Sequence, residues 1–356
     1  MRTFQIAVLP GDGVGVEVTD EALKILRVVQ TRMKSVRFEM APYAVGADAY
    51  RSGQDPLPES TLAACREADA VLLGAMGLPD VRWPDGKEIA PQLDLREQLD
   101  LYRGVRPIRL YHEADTPLKR YRAGEIDLVI VRESTEGLFS TRLAQRPHGA
   151  DEVLDNLKVT RAGSERVFRA AFRIAGQRRK RLSLIDKANV LPSMVFFREV
   201  FDAIACEFPD VETDRLYVDC AALFLLQRPQ VFDVLVTENM FGDILSDLAA
   251  GLVGGMGMAP SADIGDDCAV FQPAHGSAPD IAGRGIANPV AMILSVAMML
   301  DWLDHAETTV AAEHLRAAVE RVLANPNQRT ADLGGKLSTS EMGNLIAAEL
   351  EQTWHA

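Results

Sequence analysis

The run VFDVLVT (residues 231–237) passes through Glu238-Asn239 into FGDILSD (residues 241–247), and the reading of this stretch decides the architecture. The first half is short and rich in Val and Leu, which predicts a buried strand. After the polar break, Ile244, Leu245, Leu248 and Leu252 recur at helical spacing. Asp243 and Asp247 stand four apart, so a helix places their Cβ atoms on one face, roughly 6 Å from each other. Two like charges there cost an isolated helix a few tenths of a kcal/mol, so something should offset them. A divalent cation held by oxygen ligands is one candidate. Two solvated carboxylates on a surface helix are the competing reading. The position after a buried strand raises the cation to stand level with that reading, because ligand sites in α/β folds gather at strand ends.

Outward from this stretch the same alternation recurs. Residues 4–9 predict a strand, PGDGVGVE a glycine turn, and residues 16–30 a helix. Gly11, Gly13 and Gly15 follow a GxGxG spacing instead of GxGxxG, so a tight strand-to-helix turn competes with a dinucleotide loop. Further strands are expected at residues 70–73, 126–131, 182–185 and 216–218, and helices at 164–179, 292–303 and 314–323. Strands alternating with helices predict an α/β fold with a large mixed, mostly parallel sheet. Residues 141–164, polar and irregular with Pro147 and Gly149, suggest a protruding arm.

A chain of 356 residues, 47% hydrophobic and 25% charged, suits a soluble protein of two domains, or of one large sheet with lobes. Its 38 basic and 51 acidic residues give a net charge of −13, which argues against a nucleic-acid surface. The N-terminus enters a strand with no apolar leader, and residues 290–300 are too few to span a bilayer. The four cysteines form no CxxC pair. Cytoplasm, with no membrane partner, is therefore the expected location.

Chemistry-bearing residues cluster at element ends. Arg96 lies on a helical segment, with Arg103 and Arg106 expected where that helix ends before Pro107, and Arg132 follows a buried strand. Guanidinium forks bind carboxylates bidentately, although surface salt bridging is the favoured reading for any one of them singly, less so for Arg132 after its buried strand. Lys187 follows a buried strand, where partial burial lowers an ammonium pKa and suits a base; a snorkelling structural lysine is the alternative. Asp219 is expected at another strand end. QPAHGSAPDIAGRGIANP (residues 272–289) must be an ordered loop, and His275-Gly276-Ser277 offers small side chains and N–H groups to a phosphate or ribose.

Taken together, IAVLPGDGVG, LREQLDLYRGVRP, VREST, DKANVL, YVD, FGDILSD and HGSAPDIAGRGIANP resemble the NAD(P)-dependent β-decarboxylating dehydrogenases, the isopropylmalate, isocitrate and tartrate/D-malate dehydrogenase family. The resemblance runs the length of the chain. It implies an isopropylmalate dehydrogenase-like two-domain fold that is not a standard Rossmann domain. Residues 1–101 plus 254–356 would bind the cofactor, and residues 102–253 would carry dimerisation and the metal and substrate. It further implies a homodimer whose active site is shared between subunits. Arg96, Arg106 and Arg132 match the substrate-carboxylate clamps. Arg103 stands where the family has an uncharged residue and is left out. Asp243 and Asp247 match ligands of Mg²⁺ or Mn²⁺, with Asp219 reaching the ion from the partner subunit. Lys187 and Asp219 are the implied catalytic residues, the lysine helping to remove the hydroxyl proton. In the implied reaction the cation steadies the 2-alkoxide, hydride passes to the nicotinamide, and the 2-oxo acid loses its β-carboxylate.

The implied cofactor residues are His275, Gly276, Ser277, Ala278, Asp280, Ile281 and Asn288. NADP users of the family carry Lys-Tyr where this chain has Asp280-Ile281, and a carboxylate repels a 2′-phosphate, so NAD is expected. Where relatives recognise the substrate's side group, this chain has Ala90, Gln92 and Leu93, which is neither the isopropylmalate nor the isocitrate pattern. Phe139 replaces the family tyrosine. The expected activity is oxidation and decarboxylation of a malate-type 2-hydroxy diacid, 3-isopropylmalate first, with D-malate, tartrate or isocitrate as alternatives. A catalytically silent subunit of the same fold is the reading from another class. It is disfavoured because Lys187, Asp219, Asp243 and Asp247 are all retained.

Overall fold

Along strand β1 (Arg2–Gly11) the side chains alternate between two cores: Phe4, Ile6 and Val8 join one, and Ala7 and Leu9 the other. Strand β3 (Ala70–Ala75) repeats the pattern, with Ala70 and Leu72 on the first side and Val71 and Leu73 on the second. A strand covered on both faces reads as a continuous apolar run, as β3 does throughout and β1 does over residues 6–9. The computed structural model describes residues 1–144 and 149–354. The chain forms two compact units, Met1–Leu101 with Leu110–Gly124 and Ala250–Ala356, and Tyr102–Arg109 with Glu125–Ala249.

The first unit begins with β1, α1 (Val14–Arg32), β2 (Val36–Pro42), α2 (Ala47–Arg51), α3 (Glu59–Glu67), β3 and α4 (Pro91–Gln98). The second consists of β4 (Arg103–Arg109), β5 (Asp127–Glu133), α5 (Arg161–Gly176), β6 (Arg181–Asp186), α6 (Pro192–Ala205), β7 (Glu212–Tyr217), α7 (Val218–Gln227), β8 (Val234–Thr237) and most of α8 (Asn239–Gly251). The chain then completes the first unit with β9 (Pro260–Ile264), β10 (Ala269–Pro273), α9 (Val290–Trp302), α10 (Ala306–Leu323) and α11 (Thr339–Thr353). In the first unit β2, β1, β3 and β10 run parallel, and β9 is antiparallel to β10. In the second β5, β8, β6 and β7 run parallel, and β4 is antiparallel to β5. The mixed, mostly parallel expectation is met in each.

Burial holds these elements. Val14, Val18, Ala22, Ile25, Leu26 and Val29 line the buried face of α1. Each such larger side chain contributes about 1.5–3 kcal/mol when covered, against tenths for helix propensity, so packing decides the helix. In the second unit α5 is locked to α6 by Phe168 against Phe197 and Phe201, with ring centroids 4.5 and 5.2 Å apart. No described helix is long and apolar enough to cross a membrane.

Three expectations need correction. Arg103 and Arg106 lie on β4, not at a helix end: α4 stops at Gln98, and β4 pairs with β5 through Pro107 opposite Val129. Asp219 sits in the first turn of α7 instead of ending a strand. Residues 110–124 fold with the first unit, because Leu110 is buried, Tyr111 packs on its core, and Asp115 accepts two hydrogen bonds from buried Arg329 at 2.8 and 3.1 Å. The second boundary falls at 249/250 rather than 253/254. Of the expected arm, residues 145–148, including Pro147, lie outside the described residues.

Candidate functional site

In the second unit, β8 delivers the chain to α8, whose start is held by Glu238. Its carboxylate accepts the N–H groups of Met240 at 3.0 Å and Phe241 at 2.6 Å. Burial pushes the Glu238 carboxyl up, and these N–H donors oppose the rise. Asp243 and Asp247 project from one face of α8, as their spacing requires. Two buried arginines meet them. Arg132, the penultimate residue of β5 and 1% exposed, donates from Nε and Nη2 to Asn239 Oδ1 at 2.9 and 2.6 Å, and from Nη1 to Asp243. Arg106 on β4 donates to Ser246 Oγ, to Asp247 at 3.3 Å and to Asp243 at 3.5 Å.

The like charges on α8 are thus offset by guanidinium groups within the same chain. Desolvation raises the Asp247 carboxyl, Arg106 opposes the rise and Asp243 adds to it. Gly242 makes the approach possible, because a Cβ there would come within 2.7 Å of the Arg132 side chain. Phe139 lies under Arg132, with the guanidinium carbon 5.3 Å from the ring centroid. Arg103 turns to Tyr102, donating to its hydroxyl at 2.9 Å.

Lys187 and Asp219 form a separate pair. Lys187 follows β6, and its Nζ donates to Asp219 Oδ1 at 2.6 Å. That bond holds the Asp219 carboxyl below its usual range. The Asp219 side chain is 69% exposed, and Leu223 and Leu226 on the same helix are also open to solvent. Among the described residues no group of three or more His, Cys, Asp or Glu stands together as a cation site, so Asp219 does not join Asp243 and Asp247 within one chain. The half-exposed Asp243–Asp247 pair fits a hard divalent cation as two of its oxygen ligands.

In the first unit a cavity of about 530 Å³ is lined by His275, Ala278, Ile281 and Asn288, and also by Val14, Ile286 and Asp332. Its wall is mainly apolar, which suits an adenine, and Asn288 donates to Asp332 at 3.1 Å. Burial pushes the His275 imidazole down, and its Nδ1 lies 2.8 Å from the Gly276 carbonyl. Ala278 holds φ at 38°, a left-handed backbone seldom kept without reason. Gly276 and Asp280 are exposed and do not line the cavity. The Ser277 hydroxyl is engaged by the Gly77 carbonyl, and the Ser277 carbonyl accepts the Val14 N–H at 2.8 Å.

The glycines of PGDGVG serve this junction. A Cβ on Gly11 would meet the Ala75 carbonyl oxygen at 1.8 Å, and one on Gly13 the Ser277 carbonyl oxygen at 2.1 Å. They permit backbone to close on backbone, which resolves the GxGxG ambiguity in favour of the tight turn. On α4, Arg96 Nε donates to buried Asp263 at 2.8 Å, and Gln92 stands one turn earlier with no partner among the described residues for its buried Oε1.

Sequence reading missed Asn239, Ser246, Asp263 and Asp332. Each acts through another residue, and only Asn239 and Ser246, inside the quoted stretch, had any local signal.

The sequence model described as isocitrate/isopropylmalate dehydrogenase matches residues 5–346. The 3-isopropylmalate dehydrogenase of Moorella thermoacetica is 45% identical over 361 residues, covering 98% of this chain and 99% of that one. That of Thermotoga maritima is 45% identical over 366 residues, covering 99% and 100%. Among solved structures, isocitrate dehydrogenase from Methylococcus capsulatus superposes with a TM-score of 0.87 at 37% identity, covering 98% of this chain and 100% of that one. An apo β-decarboxylating dehydrogenase from Thermococcus kodakarensis gives 0.80 at 37%, covering 99% and 97%. With the family match spanning residues 5–346 and full-length relatives at this identity, the chain belongs to the isocitrate/isopropylmalate dehydrogenase family.

Proposed function

We propose that this chain is an NAD- and Mg²⁺- or Mn²⁺-dependent dehydrogenase that oxidises and decarboxylates 3-isopropylmalate. The observation that carries the reading is the convergence of buried Arg106 and Arg132 on Asp243 and Asp247 at the start of α8. Relatives named 3-isopropylmalate dehydrogenase at 45% identity support the substrate. When bound, the cation would supply Lewis-acid polarisation of the substrate and NAD the hydride acceptor.

The protein's own residues do the rest. Arg106 and Arg132 are rigid, buried forks that bind and orient substrate carboxylate, with Arg96 a third, fixed by Asp263. Lys187, held by Asp219 at the end of β6, takes the hydroxyl proton through water. Phe139 packs against Arg132 and cannot donate a proton. Asp219 and Lys187 serve the partner's site in a homodimer, which suits their distance from the α8 acids and the exposed apolar Leu223, Leu226 and Ile244. The cavity beside Ile281 takes the adenosine end of NAD. A reducing cytoplasm suits the four free thiols, of which Cys65 is pushed by burial up to about 12.

A second reading, D-malate or tartrate as substrate, is favoured by Gln92. Its unpartnered Oε1, one turn from Arg96, suits a polar or absent side group better than an isopropyl group. NADH formation at 340 nm with 3-isopropylmalate, D-malate, tartrate and isocitrate, with and without EDTA, tests both readings. EDTA-sensitive turnover led by 3-isopropylmalate is expected. Turnover led by D-malate or tartrate selects the second reading, and none with any diacid refutes both.

A further inference from the structure

The cavity assigned to NAD has a wall that needs holding, and the geometry points to Glu17 as the residue that holds it. Glu17 lies in the first turn of α1, three residues after the cavity-lining Val14, so the two are neighbours on the helix surface. One carboxylate oxygen accepts the N–H of Gly283, and the other accepts the N–H of Gly285 at 3.1 Å. Both glycines hold left-handed backbone, with φ of 75° and 62°. A Cβ on either would meet open space, so the conformation, not the room, calls for glycine there. The turn is shaped so that two N–H groups converge on a single anion.

What this turn carries is the cavity wall. Ile281 lies before it, and Ile286 and Asn288 after it. The downstream half has its own anchors: the Gly285 carbonyl accepts the Thr339 N–H at 2.9 Å, the Ala287 carbonyl accepts the Thr339 hydroxyl at 2.7 Å, and Asn288 Oδ1 accepts the Val290 N–H at 3.1 Å. Gly283, toward Ile281, is tied to α1 by Glu17. The carboxylate therefore joins the Val14 wall to the Ile281 wall. Charge-assisted bonds from an anion to two N–H groups are strong enough to keep such a turn in one conformation before a ligand arrives. The charge also complements the positive end of α1. Glu17 touches no reacting atom; it is a positioning residue that acts through the 281–288 turn.

This role rests on the assignment of the cavity to NAD. The test is calorimetric titration of NAD and of ADP into wild type, Glu17→Ala and Glu17→Gln, with amide exchange of residues 281–288 and Tm measured without ligand. In Glu17→Ala, affinity for NAD and ADP should fall on the order of tenfold, and the turn's amides should exchange faster. In turnover the loss should appear in KM for NAD and not in kcat. Glu17→Gln, nearly isosteric but neutral, should lie between the two. A lowered Tm with unchanged NAD and ADP affinity in both variants overturns the positioning role and leaves the cofactor assignment standing. A wild-type protein that binds neither NAD nor ADP overturns the assignment, and this role with it.

Discussion

The cavity in the first unit and the charged cluster in the second are built in opposite ways. The cavity is bounded by apolar side chains and fixed backbone, and its polar Asn288 and Asp332 are matched to each other inside one chain. The cluster combines nearly inaccessible arginines with acids left 40% and 55% exposed at Asp243 and Asp247, and its expected third acid, Asp219, stands elsewhere with Lys187. Apolar surface is satisfied by any close neighbour, so one chain can finish such a site. Carboxylates meant for a cation keep ligand oxygens open, and the third can come from another chain at no cost to the fold of the first.

The sharpest way to break this comparison is complementation. Lys187→Ala and Asp247→Asn should each lower kcat about 10²–10⁴-fold, since one loses a proton acceptor and the other a charged cation ligand. If Lys187 serves the partner's site, mixed dimers of the two variants contain one intact site. Random reassembly of equal amounts should then recover about one quarter of wild-type activity. Mixtures that stay as inactive as the single variants would show that each chain completes its own site.

A smaller effect probes the cavity side. Wild type should prefer NAD, and Asp280→Lys with Ile281→Tyr should shift the NADP/NAD ratio of kcat/KM by about 10–100-fold. Asp280 is exposed off the cavity, while Ile281 lines it. Asp280→Lys alone should therefore act mainly by replacing repulsion of the 2′-phosphate with attraction, an effect that weakens as salt is raised. A wild-type preference for NADP refutes the assignment.

The smallest change in NADH yield is expected from Phe139→Tyr. Hydride transfer precedes enol protonation, so single-turnover NADH formation should stay within about twofold, while tautomerisation after CO₂ release accelerates. The ring already lies under Arg132, so the phenol adds a proton donor without repacking. Identical tautomerisation in both proteins would show that Phe139 is a neutral replacement.

Much of this molecule is legible locally. The run into α8 reveals strand, break and helix through periodicity alone, and the i,i+4 spacing puts Asp243 and Asp247 on one face whatever surrounds them. Arg132 is marked by its place after a continuous apolar strand. Arg103 and Arg106 were misread because Pro107 looks like a helix stop, whereas β4 tolerates proline where the missing N–H is not needed for pairing.

What the sequence by itself determined is the alternating α/β order, the family and the types of residue available for chemistry, because these depend on period, composition and short spacings. Tertiary structure alone decided which groups those residues meet. It put Asp263 behind Arg96 across 167 positions, and Ser246 and Asp247 beside Arg106 across 140 and 141. It also used the Ser277 hydroxyl inside the fold and brought Glu17 to Gly283 across 266 positions. Such contacts arise when sheet and helix packing brings distant segments within a few ångströms, and at that range a hydrogen bond or ion pair depends on the distance between atoms, not on their separation along the chain.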